Sequence, residues 1–386
     1  MDTKEPDSET SALGCAFSGS WTLLSLPLWI AAFALLALST MWTSRLFAIA
    51  LLCLLPVPLN LLHWRRTSRK IVAVLLLVTG VSALLVCITQ TQKAPGTEGD
   101  PARLVYYEDS SSLFGVSNVV AEVDQFALRS YLMAALNPDV SWHQASEIRS
   151  IMEDLYRDLS RDPHLSSLPS LLGSTHREML GLNSTSGSLF TYIPGTPSSV
   201  ESGKKIAIVL LHGGLGNFQG SWSLWKELAE STGAAIVAPT FATGKWSQKG
   251  GRAAIAQARN FCIQHPDIDE KRLVLAGISE AGIGLLREAA VAPSEWDKLL
   301  LISPLIHQHT MDSKPFIDGW RDRQALIIAG DQTSSASGKS VRTAQASMES
   351  FGMRLTTHYL SSSDPFLFLS EWASVKKLIE DWLVNP

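Results

Sequence analysis

Three apolar stretches, Trp21 to Trp42, Leu46 to Leu62 and Ile71 to Ile88, constrain this chain more than anything else in it, because none holds a charged residue. Each comes close to the roughly 17 to 25 residues with which a helix crosses a bilayer. A segment in lipid must satisfy its own backbone, so these stretches predict helices. Trp21, Trp29, Trp42 and Trp64 mark expected membrane interfaces. A cleavable leader is a poor description of the first stretch, since Asp2, Glu5, Asp7 and Glu9 precede it and two further apolar spans follow. Pro56, Pro58 and Asn60 predict a kink in the second span.

Arg65, Arg66, Arg69 and Lys70 lie between the second and third spans, and the positive-inside rule places that loop in the cytoplasm. The expected topology is multi-pass, with the N-terminus cytoplasmic and the large C-terminal part on the other side. Cys262 is the only cysteine of that part, so no disulfide within it is expected. Asn183-Ser184-Thr185 is a sequon that matters only in a secretory compartment able to glycosylate it. The formal net charge of −4 shows no basic face for nucleic acid, and that class of partner is set aside.

The domain reading is a tail over 1–20, a membrane domain over 21–88, a linker over 89–115, a helical lead-in over 116–175 and a catalytic-type domain over 176–386. The linker is read from Lys93, Pro95, Gly96, Gly99 and Pro101. Helical spacing covers Val116 to Leu136 and Ser141 to Leu159, the second with Ile148, Ile151, Met152, Leu155 and Leu159 on one face. Packing on the main domain is the plain reading of these helices; a lid or a surface for a protein partner is the functional one.

From about His176, short apolar strands alternate with helices. Strands are predicted at Ser188 to Ile193, Ile206 to Leu211, Ala234 to Pro239, Leu273 to Ala276, Leu299 to Ile302, Ala325 to Ala329 and Arg354 to Leu360. Helices are predicted at Trp222 to Ser231, Arg252 to Gln264, Gly282 to Ala290, Val341 to Ser350 and Trp372 to Leu383. This alternation implies an α/β fold with a doubly wound, mainly parallel sheet covered on both faces. Ligands of such sheets sit beyond the C-terminal ends of the strands.

Two loops at that edge carry chemistry. After the strand ending at Leu211 comes His212-Gly213-Gly214-Leu215-Gly216, whose glycines let backbone amides approach a developing negative charge. One strand-helix-strand-helix repeat later, Gly277-Ile278-Ser279-Glu280-Ala281 turns sharply from strand into helix, the build of a nucleophile elbow with Ala281 in place of a second glycine.

With the runs Leu211-His212-Gly213-Gly214, Ala276 to Gly282, Leu301-Ile302-Ser303-Pro304 and Asp364-Pro365-Phe366-Leu367-Phe368, residues from about 188 onward resemble the α/β-hydrolase family, in particular its esterase, dienelactone-hydrolase and prolyl-oligopeptidase-like members. The resemblance implies Ser279 as nucleophile and the backbone amides of Glu280 and of Gly213 or Gly214 as oxyanion donors. It also implies an acid and a base on the loops after the last two strands, where this chain departs from the pattern. Thr333 stands where the aspartate is expected, leaving Asp331 as the one carboxylate of its loop. Pro365 stands where the histidine is expected.

His307 and His309, on the loop after Ser303-Pro304, are the candidate relocated base, with a polar loop lining the pocket as the plain alternative. His358 lies within the last strand and His212 within the glycine turn, where structural roles are expected. No dinucleotide fingerprint, phosphate loop or metal motif occurs, so no cofactor is expected. The expected function is hydrolysis of an ester, thioester or amide, of a small molecule or a peptide, by an atypical triad. The alternatives are a pseudohydrolase that binds a ligand or protein partner, and an inert scaffold.

Overall fold

The computed structural model describes residues 8–62, 67–107, 118–136, 141–173, 175–176, 188–195, 203–331, 336–361 and 366–384. Arg65, Arg66, Trp64, Asn183, Thr333 and Pro365 lie outside them. The described chain divides into two units.

The first unit takes in the chain up to Gln92 together with Asn118 to Leu132. Its helices are α1 (Ser8–Leu38), α2 (Trp42–Leu54), α3 (Val57–Leu62), α4 (Thr67–Thr91) and the beginning of α5 (Glu122–Leu136). Three stretches are long and apolar enough to cross a membrane: Ala16–Leu38, Trp42–Leu61 and Thr67–Thr91. Most of their large apolar side chains, among them Leu23, Leu24, Ile30 and Leu75, are exposed. The first stops at Leu38, short of the Trp42 that the apolar run predicts. Asp124, 1% exposed, accepts from Thr40 N at 2.7 Å, Thr40 Oγ1 at 3.0 Å and Met41 N at 3.3 Å. Its carboxylate thus takes amides at the N-terminal end of α2 that no helical carbonyl can satisfy.

The predicted kink falls at Leu55–Pro56, between α2 and α3, within the span Trp42–Leu61. Helix α2 ends before Leu55 and Pro56, since proline offers no N–H to the preceding turn. Trp21 Nε1 donates to Leu55 O at 2.9 Å and Asn60 Nδ2 to Pro56 O at 3.0 Å, so side chains take carbonyls at the break. Gly80 lets α4 lie close to α2, as a Cβ there would come within 2.6 Å of Leu54 Cγ.

The second unit begins at Lys93 and holds the remaining elements. They are β1 (Ala102–Tyr106), α6 (Trp142–Arg161), β2 (Ser188–Tyr192), β3 (Lys205–Leu211), α7 (Gln219–Thr232), β4 (Ala235–Thr240), α8 (Lys249–Gln264), β5 (Ile268–Ile278), α9 (Ala281–Val291), β6 (Lys298–Ile302), α10 (Gln308–Met311), α11 (Lys314–Trp320), β7 (Gln324–Gly330), α12 (Ala336–Ser350), β8 (Arg354–Leu360), α13 (Leu367–Ser370) and α14 (Trp372–Val384). The strands form one sheet in the order β1-β2-β4-β3-β5-β6-β7-β8. Pairing is antiparallel for β1 with β2 and β2 with β4, and parallel from there on.

β1 is the element that the sequence reading placed inside the linker. Pro101 and the nearby glycines masked the short run Arg103-Leu104-Val105-Tyr106, which pairs in register from Ala102 to Tyr192 through Tyr106 to Ser188. The central strands β3, β6 and β7, and β5 from Leu273 onward, are mostly Val, Leu, Ile and Ala, buried on both faces as a parallel sheet between helices requires.

Helix α6 opens with a reciprocal cap. Gln144 N donates to Ser141 Oγ at 3.2 Å while Ser141 N donates to Gln144 Oε1 at 2.9 Å. It buries Ala145, Ile148, Met152 and Leu159 and packs on α7, where Gly220 leaves room for Tyr156. Just beyond its end, Asp162 ion-pairs with Lys226 of α7 at 3.2 Å.

Candidate active site

The order of the sheet reverses around β3: β4 follows in sequence on one side and β5 on the other. A crevice opens where successive connections depart to opposite sides, beyond the C-terminal ends of β3 and β5. Leu211 pairs with Gly277 at those ends, so the glycine turn and the serine turn leave the sheet side by side.

Ser279 has φ of +54°, in the left-handed region that costs a side-chain-bearing residue on the order of 1 to 2 kcal/mol. The surroundings impose it. Ser279 N donates to Ile302 O at 2.9 Å, while Ser279 O accepts from Gly282 N at 3.0 Å and Leu305 N at 2.9 Å. Small residues permit this turn: a Cβ on Gly277 would lie 3.0 Å from Leu285 Cδ1, and one on Gly282 only 2.7 Å from Leu305 O. Ala281, at the position of the usual second glycine, is fully buried. The elbow is thus a tightly packed strand-to-helix corner with the serine at its apex.

The glycine turn lies against it. A Cβ on Gly213 would come within 3.1 Å of Ile278 O and 3.4 Å of Ser279 Cβ, and one on Gly214 within 3.1 Å of Glu280 Oε2. His212, 5% exposed, sits beneath the turn. Phe241 N donates to its Nε2 at 3.1 Å, so Nε2 is unprotonated; Nδ1–H then donates to Gly213 O at 2.8 Å. Its own carbonyl accepts from Trp246 Nε1 at 2.8 Å. Both ring nitrogens are committed to backbone, so His212 holds the turn and has no lone pair to offer Ser279.

These residues line one cavity of about 300 Å³. Ser279, Glu280, Gly213, Gly214 and His212 form one side; Leu215, Phe218, Trp225, Phe366 and Phe368 supply apolar wall. Asn217 also borders it, but its side chain is spent, with Nδ2 donating to Ala238 O at 2.9 Å and Oδ1 accepting from Trp222 Nε1 at 2.7 Å. Eight of the nine histidines lie in the described residues, and of these only His212 lines the cavity.

The other candidates stand apart from it. His307 and His309 are exposed, their rings 5.8 Å apart at the start of α10, and neither lines the cavity. Asp331 is exposed as well, and accepts from Arg342 Nη2 at 2.8 Å. His358 is half-buried in β8 opposite Ile328. Thr333 and Pro365 fall outside the described residues. Among the described residues no group of three or more His, Cys, Asp or Glu could hold a metal.

The aromatic wall is what the sequence reading missed. Phe366 and Phe368 follow directly on the loop where the base is expected, and as apolar residues they carry no ionisable group to mark a site. Thr175 was missed too: its Oγ1 donates to Ala242 O at 2.9 Å and fills the space beside Gly216, which has φ of +86°.

No family model matches the chain, and no curated protein sequence does. Among solved structures it is similar to S-formylglutathione hydrolase (FrmB) from Staphylococcus aureus, at 15% identity over 52% of this chain and 91% of that one, with a TM-score of 0.42. Fluorophosphonate-binding serine hydrolase F of Staphylococcus aureus gives 14% identity, 52% and 93% coverage and a TM-score of 0.42. Est1E from Butyrivibrio proteoclasticus gives 12%, 52% and 94%, and 0.39. The chain's own strand order, antiparallel at one edge and parallel thereafter, and its strained serine between β5 and α9 give the second unit an α/β-hydrolase type of fold.

Proposed function

We propose that this chain is a membrane-anchored α/β-hydrolase-fold protein whose Ser279 pocket binds a small ester, thioester or amide by its carbonyl, with an apolar substituent against Phe366 and Phe368, and does not turn it over. One observation carries the reading: the cavity places a strained serine and a glycine turn in apolar surroundings, and the one imidazole lining it among the described residues is locked into the backbone. The amides of Glu280 and of Gly213 or Gly214 are the oxyanion donors in this reading. Polarising a carbonyl needs only those donors, whereas attack by a serine hydroxyl needs a base. Removing a triad member costs on the order of 10⁴ to 10⁶ in turnover, so binding outlasts catalysis when the base is gone.

A second reading, slow serine hydrolysis with Asp331 and His307 or His309 as improvised partners, draws on the retained strain. Holding Ser279 at φ of +54° is a cost that a mere scaffold has no use for. Labelling of the detergent-solubilised full chain with a fluorophosphonate, beside Ser279→Ala, separates the readings. Serine-dependent labelling at the rate of an ordinary hydrolase sinks the binding reading. Slow but serine-dependent labelling supports the second reading, and absent labelling, with a ligand-induced rise in melting temperature and no product, supports the binding reading. The anchor rests on the three apolar helices. Placement of the hydrolase domain on the non-cytoplasmic side rests on Arg65, Arg66, Arg69 and Lys70, and protease protection in sealed vesicles tests it.

A further inference from the structure

The opposite edge of the sheet holds a second cleft, of about 430 Å³, at the N-terminal ends of β5 to β8. Parallel pairing aligns Lys298 of β6 with Gln324 of β7, and Gln324 with Arg354 of β8. Residues paired in this way point to the same face, about 4.8 Å apart from strand to strand. Arg272 lies two residues before Val274, the partner of Lys298, and so shares that face. Arg323 completes a set of four cations lining the cleft, against Asp297 as the single carboxylate lining it among the described residues. In a chain of formal net charge −4, that concentration is not a consequence of composition.

Lys298 is the informative member. It is 9% exposed, and no carboxylate among the described residues lies within ion-pair distance of it; its ammonium sits 5.2 Å from the centre of the Trp382 ring. Burial pushes its pKa down; Asp297 acts against this, while Arg272 and Arg354 lower it further. A buried cation among like charges is costly unless an anion compensates it. Gln324 Oε1 is also buried there without a hydrogen-bond partner. An amide so placed, turned either way, has a donor or acceptor left for a ligand.

The arginines are anchored but not spent. Arg323 donates to the carbonyls of Pro293 and Asp297 and stacks on Trp320, and Arg354 Nε donates to Asp322 O at 2.8 Å. Arg272 makes no hydrogen bond or ion pair with any described residue, so its whole guanidinium is available. Ile206, Leu383 and Val384 supply an apolar flank beside the charged floor.

We propose that this cleft binds a phosphate-class dianion, with Lys298, Arg272 and Arg354 on its oxygens. Two sources carry that chemistry, free phosphate and the monoester headgroup of a lipid, and the flank accommodates the non-phosphate part of a monoester. The test titrates inorganic phosphate into the full chain in non-ionic detergent, read by calorimetry, with sodium chloride holding ionic strength constant. Saturable binding on the order of 1 mM or tighter is expected, weakened at least about tenfold in Lys298→Met and in Arg354→Gln. Arg287→Gln, remote from the cleft with its guanidinium on Ser247 O, leaves it unchanged. No saturable heat beyond the chloride control, or wild-type binding in both cleft variants, overturns the proposal. Should Lys298→Met fail to fold, the exposed Arg354→Gln decides alone. Repeating the titration in phosphatidylcholine nanodiscs with and without phosphatidic acid assigns the source: competition by phosphatidic acid supports the headgroup, and undiminished phosphate binding supports the free anion.

Discussion

The two halves of the sheet's C-terminal rim differ in how they are built. On the β3 and β5 side, Gly213, Gly277 and Gly282 stand where a Cβ would come within about 3 Å of neighbouring atoms, and Ser279 is held by backbone hydrogen bonds with Ile302, Leu305 and Gly282. On the β7 and β8 side, Asp331 faces solvent in a pair with Arg342, and Phe366 and Phe368 form cavity wall. The elbow is made of backbone and packing, so losing it means losing part of the core. An acid and a base are two side chains on loops, replaceable without disturbing a strand. Retention of an elbow therefore testifies to the fold, and the loops after β7 and β8 decide the chemistry.

The largest expected effect comes from refurnishing the second half. On the proposed reading of these two loops, Thr333→Asp with Pro365→His supplies an acid and a base, and the rate of fluorophosphonate labelling at Ser279 should rise by about 10³-fold or more over the parent chain. Ser279→Ala in that background should abolish it. A parent chain that already labels as fast as the double variant would break the comparison, since the β7 and β8 side would then be complete in some other form.

Packing on the first half gives the next effects. Gly282→Val pushes two methyl groups toward Leu305 O and Pro304 Cβ, which lie 2.7 and 2.8 Å from a bare Cβ, and should cost about 3 kcal/mol in denaturant unfolding. Gly203→Ala, with nothing within 4 Å, is the control and should change stability little. His212→Phe keeps the ring but leaves Phe241 N–H without its partner, while Gly213 O keeps only Gly216 N, for about 2 kcal/mol. A small loss in both would mean that the glycine turn and elbow adjust to each other more freely than their spacing indicates.

How much of this was legible beforehand follows the same division. Strands β3, β5, β6 and β7 announce themselves as apolar runs, because a parallel sheet between helices is buried on both faces. The elbow shows as small residues around Ser279, since only small residues fit where helix meets strand. β1 did not show, because an edge strand of five residues beside Pro101 has the composition of a linker. The break after Leu38 did not show either: its cause, Asp124, lies more than eighty residues further along the chain. Phe366 and Phe368 were readable as residues but not as cavity wall, which depends on which way a loop turns.

Smaller effects sharpen the comparison at single residues. Ser279→Gly removes the side chain that pays for a φ of +54°, and thermal unfolding should show the variant about 1 kcal/mol more stable than the parent. An unchanged or lowered stability would mean that the serine side chain makes a compensating contact at the apex. Asp331→Asn is expected to do least. The Asp331 to Arg342 pair is solvent-exposed at both ends, and such pairs contribute roughly 0 to 1 kcal/mol. If Asp331 serves only that pair, the variant loses no more than this and labels at Ser279 at the parent's rate. If Asp331 orients a base during turnover, stability stays as small a matter, yet the labelling rate falls by about 10²-fold or more. The disparity between the two readouts, rather than either alone, distinguishes a surface ion pair from an acid that still serves the elbow.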